Sequence, residues 1–232
     1  MVQKVMSKYS WSEYNKISSK LSSKLIKFNN LNDINFIEDG LYNHIRDIFC
    51  LTILYNRKIN RKTKILDYGS NLLAFSNIKS KINVKLFDFS IYDPFYSKNY
   101  QNIKKPFKIS FIVDKKKLKF KKFDIVNFGS SLQYIENIES LKNDINFKFI
   151  DTILITHTPI SLSKKYKSKQ KNHKSLIQNI HTLRDIKKYF KKYGYNLIFK
   201  SRNNEKYIAC ERKLKKTFSL NLIFSKKNNL FL

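Results

Sequence analysis

The sequence predicts an α/β protein in which a mostly parallel sheet is covered by helices on both faces. Two observations predict it: short apolar runs alternate with helix-compatible segments between residues 64 and 158, and the chain then closes with a helix followed by two strand-like runs. The alternation is typical of crossover connections between parallel strands, whereas the two closing runs indicate an antiparallel ending. We therefore predict a doubly wound, seven-stranded sheet with an antiparallel final strand, preceded by a helical N-terminal cap.

The cap is predicted over residues 1–60. A first helix, capped by Ser10 or Ser12, would place on one face Trp11, Tyr14, Ile17, Leu21 and Leu25. A second helix is predicted at about 41–57 from apolar residues that share one broad face. The polar stretch 56–63 then leads into the main domain.

The main domain is predicted over residues 61–212, and a basic and then apolar tail over residues 213–232, which could add an edge strand. The predicted strands are 65–68, 82–88, 108–114, 122–128, 151–158, 195–201 and 206–212. The predicted helices of this domain are 71–79, 135–147 and 175–192, the last one ending before Gly194.

The composition has two readings. The formal net charge is +30, yet 42% of the residues are hydrophobic, which excludes a disordered chain. The abundance of Lys, Asn, Ile, Phe and Tyr is typical of an AT-rich genome, so the charge reflects either codon bias or an anionic partner.

The sequence lacks the features of a secreted or membrane-spanning protein, so a cytoplasmic location is expected. The N-terminus has no apolar signal-peptide core, and no apolar run reaches the roughly 20 residues of a membrane helix. Cys50 and Cys210 lie in apolar runs without metal-type spacing, so we expect buried, reduced thiols in a cytoplasmic protein. No His, Cys and Asp cluster has the spacing of metal ligands.

Two stretches are predicted to form the centre of a cofactor cleft. They are KILDYGSNLLAF at 64–75 and KFDIVNFGSSLQYIEN at 122–137, and each is a short strand that breaks at a glycine, Gly69 or Gly129. A strand that ends in an acid, then glycine, then a helix start places backbone N–H groups and a carboxylate at one edge of a parallel sheet. That edge is where doubly wound folds bind nucleotide-like ligands.

The residues after the first strand resemble motif one of the class I S-adenosylmethionine (SAM)-dependent methyltransferases, which have a Rossmann-like sheet. That motif is a strand ending in an acid, then x-Gly-x-Gly, and it stands here as Asp67, Tyr68, Gly69, Ser70 and Asn71. Asn71 replaces the second glycine, and asparagine tolerates a positive φ better than most residues. The resemblance implies that SAM is bound by Asp67, Gly69 and Ser70.

Three further matches extend this resemblance to about residues 60–212. Asp88 closes the predicted second strand, 21 residues after Asp67, where the family's acid bonds the ribose hydroxyls. Asp114 begins a stretch similar to Asp-x3-Leu-Pro-Phe…Phe-Asp, whose first acid lies near the adenine amino group. At the fourth strand's exit, Gly129 and Gln133 would line the methyl-donor pocket. Strand-end turn capping is the structural alternative for the acids.

A narrower resemblance rests on a few tripeptides. Leu-Gln-Tyr at 132–134 and Thr-His-Thr-Pro at 156–159 resemble methyltransferase-like proteins encoded near bacterial surface-polysaccharide genes. This narrower group has Asp-Phe/Tyr-Gly-Gly after its first strand and Arg-Thr-Pro after its fifth. In this chain Ser70 stands at the second of these glycines, and His157 stands at the arginine. This resemblance implies a role in polysaccharide biosynthesis.

His157 is the predicted catalytic residue. It follows the fifth strand, and its pKa range suits a general base, although it could simply make one backbone hydrogen bond. His173 and His181 are predicted at the surface.

The segment 163–174 is predicted to be a loop, and it contains six lysines in twelve residues. It would either capture an anionic acceptor, such as a phosphorylated or nucleotide-linked sugar, an acidic glycan or RNA, or be a solvated loop.

We therefore predict a SAM-dependent methyltransferase that acts on a small or saccharide-type acceptor. Oxygen is the expected acceptor atom, because the strand-four signature of nitrogen-directed nucleic-acid methyltransferases is absent. The alternatives are a catalytically inactive, basic binding module with the same fold and an RNA methyltransferase. Nucleic acid is possible but not favoured as a partner.

Overall fold

The computed structural model describes residues 40–69, 78–92, 108–171, 173–203, 210–211 and 213–226. The first predicted cap helix lies outside these residues. The strands are β1 Thr63–Tyr68, β2 Phe87–Tyr92, β3 Ile109–Ile112, β4 Ile125–Gly129, β5 Thr152–Ser161, β6 Tyr166–Gln170, β7 His173–Ile180, β8 Asn196–Arg202 and β9 Thr217–Ser225. The helices are α1 Gly40–Tyr55, α2 Ile78–Lys81, α3 Leu141–Asp144 and α4 Leu183–Lys191.

Seven strands form one sheet in the order β3-β2-β1-β4-β5-β9-β8. The pairs from β3 to β5 are all parallel, and β9 is antiparallel to both β5 and β8. The predicted doubly wound sheet with an antiparallel final strand is therefore confirmed. The chain runs outward from β1 to β3 and then returns to β4, so the strand order reverses between β1 and β4.

The core has one apolar cluster on each face of the sheet. Because side chains alternate along a strand, Ile65 points to the face covered by α1, whereas Leu66 points to the face covered by α4. Every residue of β4 before Gly129 is buried, as expected for a central parallel strand. A polar side chain within these buried strands is therefore unusual.

The predicted pairing of residues 206–212 with β8 was wrong, because Thr217–Ser225 pairs with β8 instead. Within that stretch the structure describes Cys210 and Glu211, which pair with strand β6. The stretch predicted as a tail thus supplies an inner strand of the sheet. Its alternation of apolar with small polar residues fits both neighbours, since most of β9 is buried.

The segment predicted as a lysine loop followed by a long helix is a hairpin, β6–β7, followed by a shorter helix. The predicted helical start at Ser175 was wrong, because the backbone remains extended to Ile180. Helix α4 begins after Thr182, whose hydroxyl accepts from the N–H of Asp185 as an N-cap. The predicted helix 135–147 is likewise reduced to short 3-10 turns and α3.

Beyond the sheet, none of the helices in the described parts of the chain has the length and apolar character needed to cross a membrane.

A carboxylate, Asp124, fastens the N-terminal edge of the sheet. It accepts from Arg61 Nη1 at 2.7 Å and Nη2 at 2.6 Å, and from the N–H of Lys64 at 2.8 Å. Burial would raise the pKa of this carboxyl, but these hydrogen bonds outweigh burial and the pKa is lowered. A lowered pKa in the folded state stabilises the protein above the unfolded value, and this contribution is lost as the pH falls through the folded value.

We therefore expect Asp124→Asn to lower the free energy of unfolding by about 2 kcal/mol near neutral pH. The difference from wild type should shrink as the pH falls from the unfolded pKa of 3.8 to the lower folded pKa, below which the wild-type carboxyl is neutral in both states. Urea unfolding at a series of pH values measures it. Asp47→Asn, which removes an exposed pair with Lys81, is the control and should change stability by less than about 0.5 kcal/mol.

Candidate functional site

The first feature of the candidate site is a close contact between β1 and the exit of β4, where the strand order reverses. Gly69 follows β1 with φ +77°, and its N–H donates to the carbonyl of Tyr92 at 2.6 Å. A Cβ on Gly69 would lie 2.5 Å from Ser131 Cβ, so only glycine fits. Open α/β sheets bind ligands in the crevice at this reversal point.

Buried polar groups line the end of the sheet beside this contact. Asp67 is 1% exposed, and its Oδ1 accepts from Asn127 Nδ2 at 3.1 Å. Gly129 leaves space next to this pair, since its absent Cβ would lie 3.1 Å from the Asn127 amide nitrogen and 3.7 Å from Thr156 Oγ1. Among the described residues, Asn127 Oδ1 and Thr156 Oγ1 have no hydrogen-bond partner. We call Asp67, Asn127, Gly129 and Thr156 the acid cluster.

The turn after β4 holds the site's second side. Ser130 has φ +56°, and its N–H donates to the carbonyl of Thr156 at 2.9 Å. The Ser131 hydroxyl donates to the carbonyl of Tyr68, which ties this turn to β1. Gln133 is buried, and its Nε2 donates to the carbonyl of Ser130 at 2.8 Å. Gln133 therefore supports the turn through Ser130.

His157 lies on a β-bulge inside β5, because the strand continues to Ser161, beyond the predicted end at residue 158. Its φ is +49°, and its N–H donates to Asn221 Oδ1 at 2.9 Å. Asn221 is held in turn by two amide hydrogen bonds with Asn203. Bulges re-aim side chains next to active sites, and this one places His157 one residue beyond the Gly129–Thr156 pair.

The hairpin β6–β7 is attached to the same edge of the sheet. Tyr134 Oη donates to Gln170 Oε1 at 2.8 Å, and Cys210 Sγ donates to Gln178 Oε1 at 3.0 Å. Burial raises the pKa of the Cys210 thiol to about 11, so this thiol is protonated and unreactive. Asn179 Nδ2 also donates to the carbonyl of Gln133 at 3.4 Å. The hairpin is therefore joined to the turn after β4 by polar contacts.

His181 lies at the base of the hairpin and is buried, so its prediction as a surface residue was wrong. Its Nε2 lies 2.8 Å from the carbonyl of Ile135. Burial lowers the pKa of this imidazole, which favours the neutral form. The ring thus has a structural role in joining the hairpin to the chain after β4.

The structure brings together most of the predicted site residues. Asp67, Gly69, Gly129, Gln133 and His157 lie at the C-terminal edge of β1, β4 and β5. Asp114 follows β3 at the same edge of the sheet, where it accepts from the N–H of Lys116 at 2.9 Å. Ser70 lies outside the described residues.

Asp88 is the exception, and its predicted position was wrong. Strand β2 runs from Phe87 to Tyr92, so Asp88 stands near its start, opposite Lys64 in β1. Its side chain is 47% exposed and lies 3.9 Å from Lys62 Nζ. It is therefore at the opposite edge of the sheet from Gly69. One sequence signal favoured a strand that ends later than residue 88. Pro94 favours an extended conformation for the residue before it.

Sequence reasoning did not single out Asn127, Thr156 or Ser131. Asn127 is an isolated polar residue in an otherwise apolar strand, which is a signal that could have been used. Thr156 lies in the polar run 156–158, where His157 was the residue chosen. Ser131 has no such signal, because its role depends on the contact with Gly69 across the sheet.

The acid cluster suits a ligand with a positively charged group that donates several hydrogen bonds. Asp67 supplies a negative charge, and Asn127 and Thr156 supply further acceptors in a buried setting. An ammonium group is the donor that matches several oxygen acceptors without a fixed geometry. The methionine part of SAM has such an ammonium group, so the residues present fit this cofactor.

Comparisons with known proteins give structural matches of low sequence identity. Neither the protein-family models nor the curated proteins contain a match. Among solved structures, a SAM-dependent methyltransferase of Clostridium acetobutylicum is 15% identical with a TM-score of 0.47, over 86% of this chain and 97% of that one. The 1,6-didemethyltoxoflavin-N1-methyltransferase of Burkholderia thailandensis is 10% identical with a TM-score of 0.48, over 95% and 92%. The 16S rRNA methylase ArmA is 15% identical with a TM-score of 0.46, over 94% and 98%.

Proposed function

We propose that this protein transfers a methyl group from SAM to a small, anionic, saccharide-type acceptor at an oxygen atom. The observation that carries the proposal is the reversal point between β1 and β4, where Gly69 contacts Ser131 beside the acid cluster. When bound, SAM supplies an electrophilic methyl group on a sulfonium. The protein's task is then to hold donor and acceptor in line and to exclude water.

The donor is proposed to bind along the C-terminal edge of the sheet. Asp67 accepts from the ammonium group, and the Asn127 and Thr156 oxygens complete its hydrogen bonding. The lack of a side chain at Gly69 allows close approach of the backbone after β1. Asp114, beyond β3, would meet the adenine end, which the position of β3 two strands from β1 supports.

The ribose position needs a different acid from the one predicted. The resemblance places a carboxylate at the end of the second strand, and β2 ends at Tyr92. The next residue in the sequence is Asp93, which lies outside the described residues. We infer that Asp93 rather than Asp88 takes this role.

The acceptor is proposed to bind between His157 and the hairpin. His157 lies on the bulge, one residue beyond Thr156 of the acid cluster, and its imidazole would accept the proton of an acceptor hydroxyl as methyl transfer proceeds. Asn221 and Asn203 hold the bulge, so they position His157 without contacting the acceptor themselves.

The hairpin supplies positive charge on this side. Alternation along β6 buries Ser168 and leaves Lys167 and Lys169 exposed, with Lys171 exposed at the turn. Lys167 pairs with Glu136 at 2.6 Å, and residues 162–180 contain no Asp or Glu. An anionic group on the acceptor would therefore find lysines without competing carboxylates on the hairpin itself.

The test is methyl transfer from labelled SAM to phosphorylated and nucleotide-linked sugars, compared with the neutral sugars. We expect Lys169→Glu/Lys171→Glu to raise the KM for a charged acceptor by about tenfold, because charge reversal repels the anionic group. His157→Gln should instead lower kcat by about 100-fold and leave that KM nearly unchanged.

Lys187→Glu/Lys188→Glu is the matched control, since these exposed lysines lie on α4 and make the same change in net charge. An equal rise in KM for this control would mean that the hairpin has no specific role. Transfer to neutral sugars with unchanged efficiency in all variants would contradict an anionic acceptor.

Methyl transfer to RNA is the second candidate, and the lysines of the hairpin favour it. RNA would make many phosphate contacts, so its binding would weaken steeply with salt. Including a structured RNA among the acceptors distinguishes the two: methylation of RNA, with none of the sugars accepted, would replace the saccharide proposal.

A further inference from the structure

A second basic site lies at the opposite edge of the sheet from the acid cluster. It is a pocket of about 380 Å³ lined by Lys119, Lys142, Ile145, Asn146, Phe147, Lys148, Tyr193 and Lys226. Lys226 follows β9, whose last residue Ser225 pairs with Thr152 at the start of β5. The start of β5 lies at the N-terminal edge of the parallel strands, so this pocket is separate from the proposed donor site.

The floor of the pocket is aromatic and fixed. The rings of Phe147 and Tyr193 lie 4.6 Å apart with an interplanar angle of 32°. Phe147 is 4% exposed and also contacts Tyr189 and Phe190 edge-on, which holds its ring in the core. Tyr193 is half-buried, so it is the more accessible ring of this pair. A flat ring could stack there.

The rim of the pocket is positively charged. Lys119, Lys142 and Lys148 are exposed, and none of them forms an ion pair among the described residues. Lys226 is fixed by hydrogen bonds from its Nζ to the carbonyl of Phe147 at 2.6 Å and of Lys148 at 3.1 Å. Four ammonium groups thus surround the aromatic floor.

The nearest carboxylates do not cancel this charge. None of the lining residues is acidic. Asp144 pairs with Lys115 at 2.8 Å and accepts from Tyr68 Oη, and Glu139 pairs with Lys192. Asp151, whose charge acts on Lys226, pairs with Lys58. These acids therefore have lysine partners outside the pocket, and Lys119, Lys142 and Lys148 remain available to an anion.

We propose that this pocket binds a nucleotide, with its base against the Phe147–Tyr193 pair and its phosphates against Lys119, Lys142 and Lys148. Aromatic platforms combined with lysines are the arrangement that recognises a base together with phosphate groups, and stacking contributes about 1–3 kcal/mol per base. The nucleotide is either free or part of an RNA strand.

The experiment is calorimetric titration of the full chain with UTP, UMP, uridine, tripolyphosphate and a uridine hexanucleotide. Uracil ligands avoid any adenine-binding region of the donor site. We expect UTP to bind more tightly than either uridine or tripolyphosphate, because it alone joins the ring to three phosphates. Lys142→Glu/Lys148→Glu should weaken UTP binding by about tenfold or more.

Two variants keep the proposal falsifiable. Tyr193→Leu should weaken UTP severalfold and leave tripolyphosphate unchanged, since only the stacking surface is lost. Lys187→Glu/Lys188→Glu matches the charge change on α4 and should leave UTP binding intact. Thermal melting of each variant verifies that it is folded.

Equal losses in the two lysine double variants, or equal affinities for UTP and tripolyphosphate, would overturn the proposal. If UTP binds as proposed, the hexanucleotide decides the source of the ligand. Tighter binding than UTP, abolished by Lys142→Glu/Lys148→Glu, indicates RNA, whereas weaker binding indicates a free nucleotide. These outcomes are independent of whether SAM binds, because they concern the opposite edge of the sheet.

Discussion

Gly69→Ala is expected to slow methyl transfer by about 100-fold and to weaken binding of S-adenosylhomocysteine (SAH), the demethylated donor. Alanine at φ +77° is strained, and its Cβ would meet Ser131 Cβ at 2.5 Å, so the backbone after β1 must move away from the turn after β4. A shift of about 1 Å at a positioning element costs on the order of 100-fold in rate. Calorimetry with SAH and a labelled-methyl assay measure the two effects.

Gly194→Ala is the matched control for this substitution. Gly194 has φ +83°, but nothing lies within 4 Å of the position where its Cβ would be. Both variants therefore carry the backbone strain of about 1–2 kcal/mol, and only Gly69→Ala adds the collision. Equal SAH affinities in the two variants would show that the contact between Gly69 and Ser131 has no part in donor binding.

Asp67→Asn is expected to weaken SAH binding by about 30-fold, which corresponds to about 2 kcal/mol. The amide keeps the size of the carboxylate and can still contact Asn127, but it removes the charge proposed to meet the ammonium group of the donor. The melting temperature should change little, since a neutral group replaces the buried carboxylate.

Asp88→Asn is the control for the acid, and it should leave SAH affinity within about twofold of wild type. Asp88 stands at the start of β2, at the opposite edge of the sheet from the acid cluster. Asp93→Asn should weaken binding instead. A loss on Asp88→Asn that equals the loss on Asp67→Asn would contradict the placement of the donor at the C-terminal edge.

The sequence predicted the sheet correctly where the local pattern of a segment agrees with its packing in the fold. Apolar runs that end at Gly69 and Gly129 predicted β1 and β4, and the two closing runs predicted an antiparallel ending. The positions of these glycines also predicted the edge on which the acid cluster lies.

The strand predictions were wrong where neighbouring parts of the sequence have similar strand-forming patterns. For 206–212 and 217–225, both runs are apolar enough to form a strand, and only pairing with β5 and β8 selects the later one. Strand β2 was placed too early because 82–88 alternates, although the apolar run continues to Tyr92. This shift placed Asp88 at the wrong edge.

The hairpin was hidden by its composition. Lysine has no strong preference for a strand, so the segment 163–174 resembles a solvated loop. Its extended form depends on contacts distant in the sequence, such as Tyr134 with Gln170 and Cys210 with Gln178. No local pattern contains that information.

The central claim is that SAM binds at the edge formed by β1 and β4, and titration of SAH into the wild-type protein and Asp67→Asn tests it most directly. The account predicts saturable, one-to-one binding to wild type that is about 30-fold weaker in the variant. Absence of saturable binding to the folded wild-type protein would contradict it, as would equal affinity in the folded variant.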